Sequence, residues 1–263
     1  MKLGLMPGTP PAEMRELGFE AIQLFYGSNR QDDDADPSDD AVREALQPGP
    51  LALAAMTLHI DLVNPRGLVQ ADADRAVRMV RRTAAFKGLC GDTPRPILVW
   101  HPSGYPEAAD TDDAAVFNGL CGALRQMCAA GEQVGVDVAV EMTRNGSVGS
   151  AEGFLRIKDK VGSPALRVCL DAANIAPDRT PLVRCVRMLA DDIVIAHGKD
   201  SHFNPDGTVA GYGPAGSGKL DYEAYIGALK TYCNVPYFIL EYYKGRDDML
   251  RARDIVLKYA DGH

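Results

Sequence analysis

Four residues with the chemistry of metal ligands stand at the ends of four apolar runs in the second half of the chain. Glu141 closes VAVEM, Asp171 lies in VCLDAAN, His197 in IVIAHGKD and Glu241 in FILEYY. Carboxylate oxygens and a neutral imidazole nitrogen are ligands for divalent cations. Taken singly, each has an ordinary explanation: Glu141 and Glu241 as salt-bridge partners, Asp171 as the cap of a following helix, His197 as a hydrogen-bonded core histidine. Taken together at equivalent positions, they point to one centre. Three carboxylates gathered without a cation would raise one another's pKa and cost stability, and a divalent ion removes that conflict.

The elements that must bring these residues together are legible as alternation. Short runs rich in β-branched or aromatic residues recur between segments with helical apolar spacing. Eight runs are expected to be strands: Lys2 to Met6, Ala21 to Phe25, Leu53 to His59, Ile97 to His101, Val138 to Met142, Val168 to Asp171, Ile193 to His197, and Tyr237 to Tyr242. Their continuous hydrophobicity suits strands covered on both faces, as a parallel sheet with crossover helices requires. Eight such units in 263 residues predict a single-domain α/β protein, a (β/α)₈ TIM barrel spanning 1–263, with no linker or repeat to divide it. In a barrel the C-terminal strand ends converge on one face, so the four ligand candidates become neighbours.

Two helices are clear: about Ala71 to Phe86, and Asp113 to Gln133 with Val116, Leu120, Leu124 and Cys128 on one side. Arg75, Arg78, Arg81 and Arg82 on the first read as a solvated face, with an anion patch as the alternative. Asp32 to Asp40 reads as an exposed loop leading into a helix N-terminus, with a metal site as the minor alternative. His59 and His101 also close predicted strands and are candidates for substrate contact, an added metal, or structural hydrogen bonds. Lys199 and Asp200 in HGKD are expected just outside the metal ligands, with Lys199 on a substrate oxygen or paired with Asp200. GYGPAGSGKL is not a nucleotide loop, because Leu220 follows Lys219 where Ser or Thr is needed. Phe25, Tyr26, Trp100, Tyr105, Tyr242 and Tyr243 could wall a sugar site, with Phe25 and Trp100 the first choices.

Composition narrows the partners. The net charge of −8 argues against nucleic acid and acidic membranes, leaving a small-molecule partner and compatibility with a homo-oligomer. Six cysteines without a CxxC motif suit reduced thiols in a cytoplasmic protein. The apolar start MKLGLMPGTPP is broken by glycine and proline, short of a signal peptide or a membrane span.

The order VEMT, CLDAAN, HGKDS, GYGPAGSGKLDYEAY and ILEYY resembles the xylose isomerase-like barrel superfamily, in its sugar phosphate isomerase/epimerase branch. The similarity is spread over most of the chain. It implies a carbohydrate substrate, one divalent ion (Mn²⁺, Mg²⁺, Co²⁺ or Zn²⁺) on Glu141, Asp171, His197 and Glu241, and acid and base roles for Glu141 and Glu241. Isomerisation or epimerisation through an enediolate is the expected reaction, with a dehydratase on the same site, or a barrel that binds a sugar or partner without turnover, as alternatives. Two departures from relatives matter. Asn174 stands where ketose 3-epimerases carry a histidine for a substrate hydroxyl, and is expected to bind substrate as an amide. The arginine those enzymes carry beyond the metal histidine is not evident. The same Asn174, and the lack of an Asp-x-His pair after HGKD, argue against the three-metal endonuclease IV-like nucleases of this superfamily.

Overall fold

Each of the eight expected runs forms a strand, and the eight pair in parallel into a closed ring. The computed structural model describes residues 1–27, 36–47, 49, 51–91, 93–102, 104–106, 108–143, 148–178 and 181–260. In chain order the elements are β1 (Lys2–Leu5), α1 (Pro11–Glu16), β2 (Ala21–Phe25), α2 (Asp39–Glu44), β3 (Ala52–His59), β4 (Val63–Asn64), β5 (Gly67–Leu68), α3 (Gln70–Thr83) and β6 (Ile97–His101). They continue with α4 (Asp113–Val134), β7 (Asp137–Glu141), α5 (Ala151–Val161), β8 (Leu166–Asp171), α6 (Ala172–Ile175) and α7 (Leu182–Met188). The last are β9 (Ile193–Phe203), β10 (Val209–Pro214), α8 (Tyr222–Tyr232), β11 (Tyr237–Leu240) and α9 (Arg246–Ala260). The ring runs β1, β2, β3, β6, β7, β8, β9, β11 and back to β1, while β4 and β5 form a small separate hairpin.

Side chains alternate along a strand, so every second residue faces the barrel axis. Ala21, Ala55, Ile97, Val99, Ala139, Cys169, Ile195, Tyr237 and Ile239 pack together as a buried cluster inside the ring. The opposite set, with Leu24, Leu98, Trp100, Val138, Val140, Val168 and Phe238, packs in the larger core beneath the helices. Caps fix where helices begin and end. Asp112 and Ser150 accept from the third residue beyond them at the starts of α4 and α5, and Gly135 and Gly162 take left-handed φ of 73° and 70° at their ends.

Three expectations need correction. Strand β9 does not stop at His197 but runs to Phe203, because its outer half pairs antiparallel with β10, into which Gly211 to Pro214 of the glycine-rich segment are drawn. Helix α3 gives way at Ala84 to a 3₁₀ turn reaching Leu89. Arg75 does not belong to a solvated face: it is buried, bonds Asp36 Oδ1 and Oδ2 at 3.1 and 3.2 Å, and reaches Gly27 O. Arg78 and Arg81 are exposed as expected. Of the acidic segment, Asp36 makes that ion pair and Ser38, Asp39 and Asp40 open α2, whereas 32–35 lie outside the described residues. All six cysteines are free, five buried and Cys233 half-buried. Among the described residues no helix is long and apolar enough to cross a membrane.

Candidate functional site

Alternation carries one ligand inward from each of four strand ends. Glu141 lies two residues beyond Ala139, Asp171 two beyond Cys169, His197 two beyond Ile195 and Glu241 two beyond Ile239, so all four stand on the apolar floor of the barrel. Parallel register sets Asp171 opposite His197, while Glu141 stands opposite Cys169 and His197 opposite Ile239, so the ligand candidates are staggered by two residues between β7 and β8 and between β9 and β11. The four side chains are buried, and one ligand atom from each lies within 4.8 Å of the others. His197 Nδ1 is 2.5 Å from Glu241 Oε1 and 3.7 Å from Glu141 Oε1. Both His197 Nδ1 and Asp171 Oδ2 are buried without an aligned hydrogen bond. His197 Nδ1 and Asp171 Oδ2, each in ionic contact rather than an aligned hydrogen bond, together with the two further carboxylates offer the oxygen and nitrogen donors that a divalent cation takes.

A fifth residue joins them. Lys199, two beyond His197 on the inward face of β9, is 4% exposed and puts Nζ 2.6 Å from Asp171 Oδ2 and 3.2 Å from Glu241 Oε2. It is inside the cluster rather than outside it, and its partner is not Asp200. Asp200 faces away and accepts from Gly216 N at 2.7 Å and Leu220 N at 2.9 Å, so the glycine-rich turn cradles an internal carboxylate. A Cβ at Gly218 would stand 2.6 Å from Asp200 Oδ1, which is why that turn is glycine.

Opposed forces set the charges. Burial pushes the Glu241 carboxyl up, but Lys199 and His197 outweigh it and hold it well below the usual range. Glu141 is likewise raised by burial and brought down on balance by His197 and His101. For Asp171 burial wins over Lys199, and the carboxyl stays raised. Burial lowers His197 and Lys199, yet the surrounding acidic groups, with Cys169 foremost for His197, leave both raised well above their ordinary values. Acidic and basic side chains of the cluster thus oppose one another's burial.

Supporting groups fix these side chains. Asp171 Oδ1 caps α6 through Ala173 N and Asn174 N, as its capping reading expects, and Oδ2 is left facing the cluster. Asn174, expected on substrate, sits buried behind Glu141, donating from Nδ2 to Glu141 Oε1 at 3.3 Å and Met142 O at 3.1 Å. Tyr225 donates to Leu170 O and Tyr222 to Lys199 O, pinning β8 and β9. Gln23, not singled out in the sequence, contacts His197 Nε2 at 3.0 Å. Its inward place two residues before Phe25 was the available signal.

A cavity of about 350 Å³ opens onto the cluster, lined by Met6, Phe25, Thr57, His59, His101, Glu141, Lys199, Glu241 and Tyr242. His59 and His101 are register partners whose rings stack at 4.3 Å and 5°, and Phe25 meets His59 edge-on at 5.6 Å. His101 Nε2 lies 3.6 Å from Glu141 Oε1. Trp100 is not a wall residue. One position before His101, it points outward, is 1% exposed, and donates Nε1 to Ile60 O at 2.8 Å. Tyr26 is turned away for the same reason and bonds Thr83. Tyr105 bonds Asp113 away from the cavity, and Tyr243 donates to Met6 O below the rim. Tyr242 is 51% exposed at the rim with φ of 58°, unusual for a residue with a Cβ, and its ring and that of Tyr212 lie 5.1 and 4.9 Å from Lys199 Nζ.

Solved structures of similar shape bear on the fold. The 3-keto-D-glucoside 4-epimerase from E. coli matches with a TM-score of 0.72 at 12% identity over 99% of each chain. The D-psicose 3-epimerase of Clostridium cellulolyticum H10, solved with D-tagatose, matches at 0.73 and 11% identity over 99% of this chain and 98% of that one. The probable 3-DHS dehydratase involved in petrobactin synthesis from Bacillus anthracis matches at 0.71 and 18% identity over 98% of each. No curated protein matches in sequence. The family model described as xylose isomerase-like TIM barrel matches residues 11–259, and the closed ring of eight parallel strands agrees with it: the chain belongs to the xylose isomerase-like TIM barrel family.

Proposed function

We propose that this protein is a divalent-metal-dependent isomerase or epimerase of a sugar or sugar phosphate, working by proton transfer at carbon through an enediolate. The observation that carries the reading is the convergence of Glu141, Asp171, His197 and Glu241 at one buried point under an open cavity. A cation held there would polarise a substrate carbonyl and stabilise the negative charge that proton removal creates. Glu141 and Glu241 both line the cavity, and they are the groups that take and return the proton. Return to the opposite face of the same carbon gives an epimer; return to the neighbouring carbon gives an isomer. Phe25 and the stacked His59 and His101 offer flat surfaces to the C–H face of a sugar, while ring nitrogens and Lys199 Nζ bind its oxygens. The sugar epimerases of similar fold, and free thiols suited to a reducing cytoplasm, support the reading.

One observation favours a second reading on the same residues. Lys199, held protonated by Asp171 and Glu241, faces the cavity, and an ammonium can protonate a departing β-hydroxyl after enolisation. That would make the protein a dehydratase, and the probable 3-DHS dehydratase from Bacillus anthracis shares the fold. A panel of ketoses and keto-polyols incubated in D₂O with Mn²⁺ separates the outcomes. Deuterium in an epimer or isomer supports the proposal, a dehydrated product supports the lyase, and neither, with no metal retained by the purified protein, leaves a barrel that binds without turnover.

A further inference from the structure

We propose that Gln23 is the positioning residue that keeps His197 presenting Nδ1, and not Nε2, to the cation, an inference that rests on the metal-centre reading above. Gln23 projects inward from β2, is fully buried, and is not among the residues lining the cavity, so it stays out of the substrate space and meets the cluster only through the ring nitrogen of His197 that faces away from Glu241. Its amide is used at both ends: Nε2 donates to Thr57 Oγ1 at 2.7 Å, and Oε1 lies 3.0 Å from His197 Nε2. An amide oxygen only accepts, so the ring nitrogen facing it carries hydrogen. The nitrogen left for a cation is therefore Nδ1, which is the one beside Glu241 and Glu141. Cys169 Sγ, 3.2 Å from the same Nε2, is the competing partner. A thiol sulfur accepts weakly and at 3.2 Å makes the poorer partner, so the amide at 3.0 Å governs the ring.

An amide at the floor of an apolar barrel is costly unless bonded, and Ala21, Ala55 and Ile239 show what this interior otherwise uses. Packing alone would be served by an apolar residue. Metal-binding histidines in general donate their other nitrogen to such a partner, and losing it weakens metal affinity by about 10–100-fold.

The test is Mn²⁺ affinity by water-proton relaxation for the wild type, Gln23→Met, Gln23→Glu and Cys169→Ala, with ring ¹⁵N spectra of the Zn²⁺-loaded wild type. Gln23→Met should weaken Mn²⁺ binding about 10–100-fold, while Gln23→Glu, which still accepts, and Cys169→Ala should stay within about threefold of the wild type. The ¹⁵N spectrum should show a metal-bound, proton-free Nδ1 and a slowly exchanging Nε2–H; this holds whether or not the variants fold. Unchanged affinity in Gln23→Met, equal weakening in Gln23→Glu, or a metal-bound Nε2 would overturn the role of Gln23 and leave the metal centre standing. A wild type that binds no Mn²⁺ would overturn both.

Discussion

The two halves of the barrel mouth are built on different principles. Strands β7, β8, β9 and β11 end in Glu141, Asp171, His197, Lys199 and Glu241, buried ionisable groups in mutual contact. Strands β1, β2, β3 and β6 lead to Met6, Phe25, His59 and His101, held by edge-on and stacked ring packing. The charged half is expensive to assemble, because each member loses water and is stabilised only by its neighbours. The aromatic half is cheap and forgiving, and any one of its rings can be trimmed without leaving an unpaired charge. On the proposed function, chemistry belongs to the first half and substrate shape to the second, and substitutions should divide accordingly.

The largest effect is expected at Glu241. Glu241→Gln keeps the volume and removes the proton carrier, so deuterium exchange into the substrate should fall by about 10²–10⁴-fold with far-UV circular dichroism unchanged; turnover near the wild-type rate would remove Glu241 from its role. Next is Lys199→Met, read as stability. Without metal it leaves Asp171 buried and lacking its cation, and urea unfolding should show a loss of about 3–5 kcal/mol. Mn²⁺ binds the folded state and supplies the missing charge, so most of the loss should be recovered at saturating metal. Equal losses with and without Mn²⁺ would mean that Lys199 is not the counter-ion of the empty cluster.

The same division explains what could be read in advance. Parallel strands are apolar on both faces, so continuous runs announced all eight strands, and ligand types at their ends announced the cluster of buried side chains. That continuity also conceals which residues face inward. Counting in twos from each ligand recovers it: Lys199 follows His197 by two and enters the cluster, while Trp100 precedes His101 by one and leaves it. Position at a strand end was thus a weaker guide than parity. Other features were beyond local reading. Arg75 meets Asp36 across 39 positions, and helical periodicity cannot see such a partner. The extension of β9 through KDSHF pairs with β10, and its polar residues, of which Lys199, Asp200 and Ser201 are buried, give no apolar run to announce a strand.

A smaller effect sharpens the parity point. Trp100→Phe removes the donor to Ile60 O and should cost about 1–3 kcal/mol of stability, with KM unchanged. A raised KM at constant stability would return Trp100 to the cavity wall.

The smallest effect concerns His59 in the aromatic half. Burial, and then the facing His101 ring, lower the pKa of His59, so the folded protein holds it neutral at pH values where the unfolded chain, near 6.5, already binds a proton. The unfolded state binds more protons in that window, so stability falls as pH drops from the ordinary value toward the lowered one. His59→Gln keeps a polar side chain but no longer titrates. Its urea midpoint should therefore decline less steeply than the wild type's below pH 6.5, and the two curves should run parallel above it. Parallel curves throughout would mean that His59 is as comfortable charged as neutral. The contrast between the two halves of the mouth would then fail at His59.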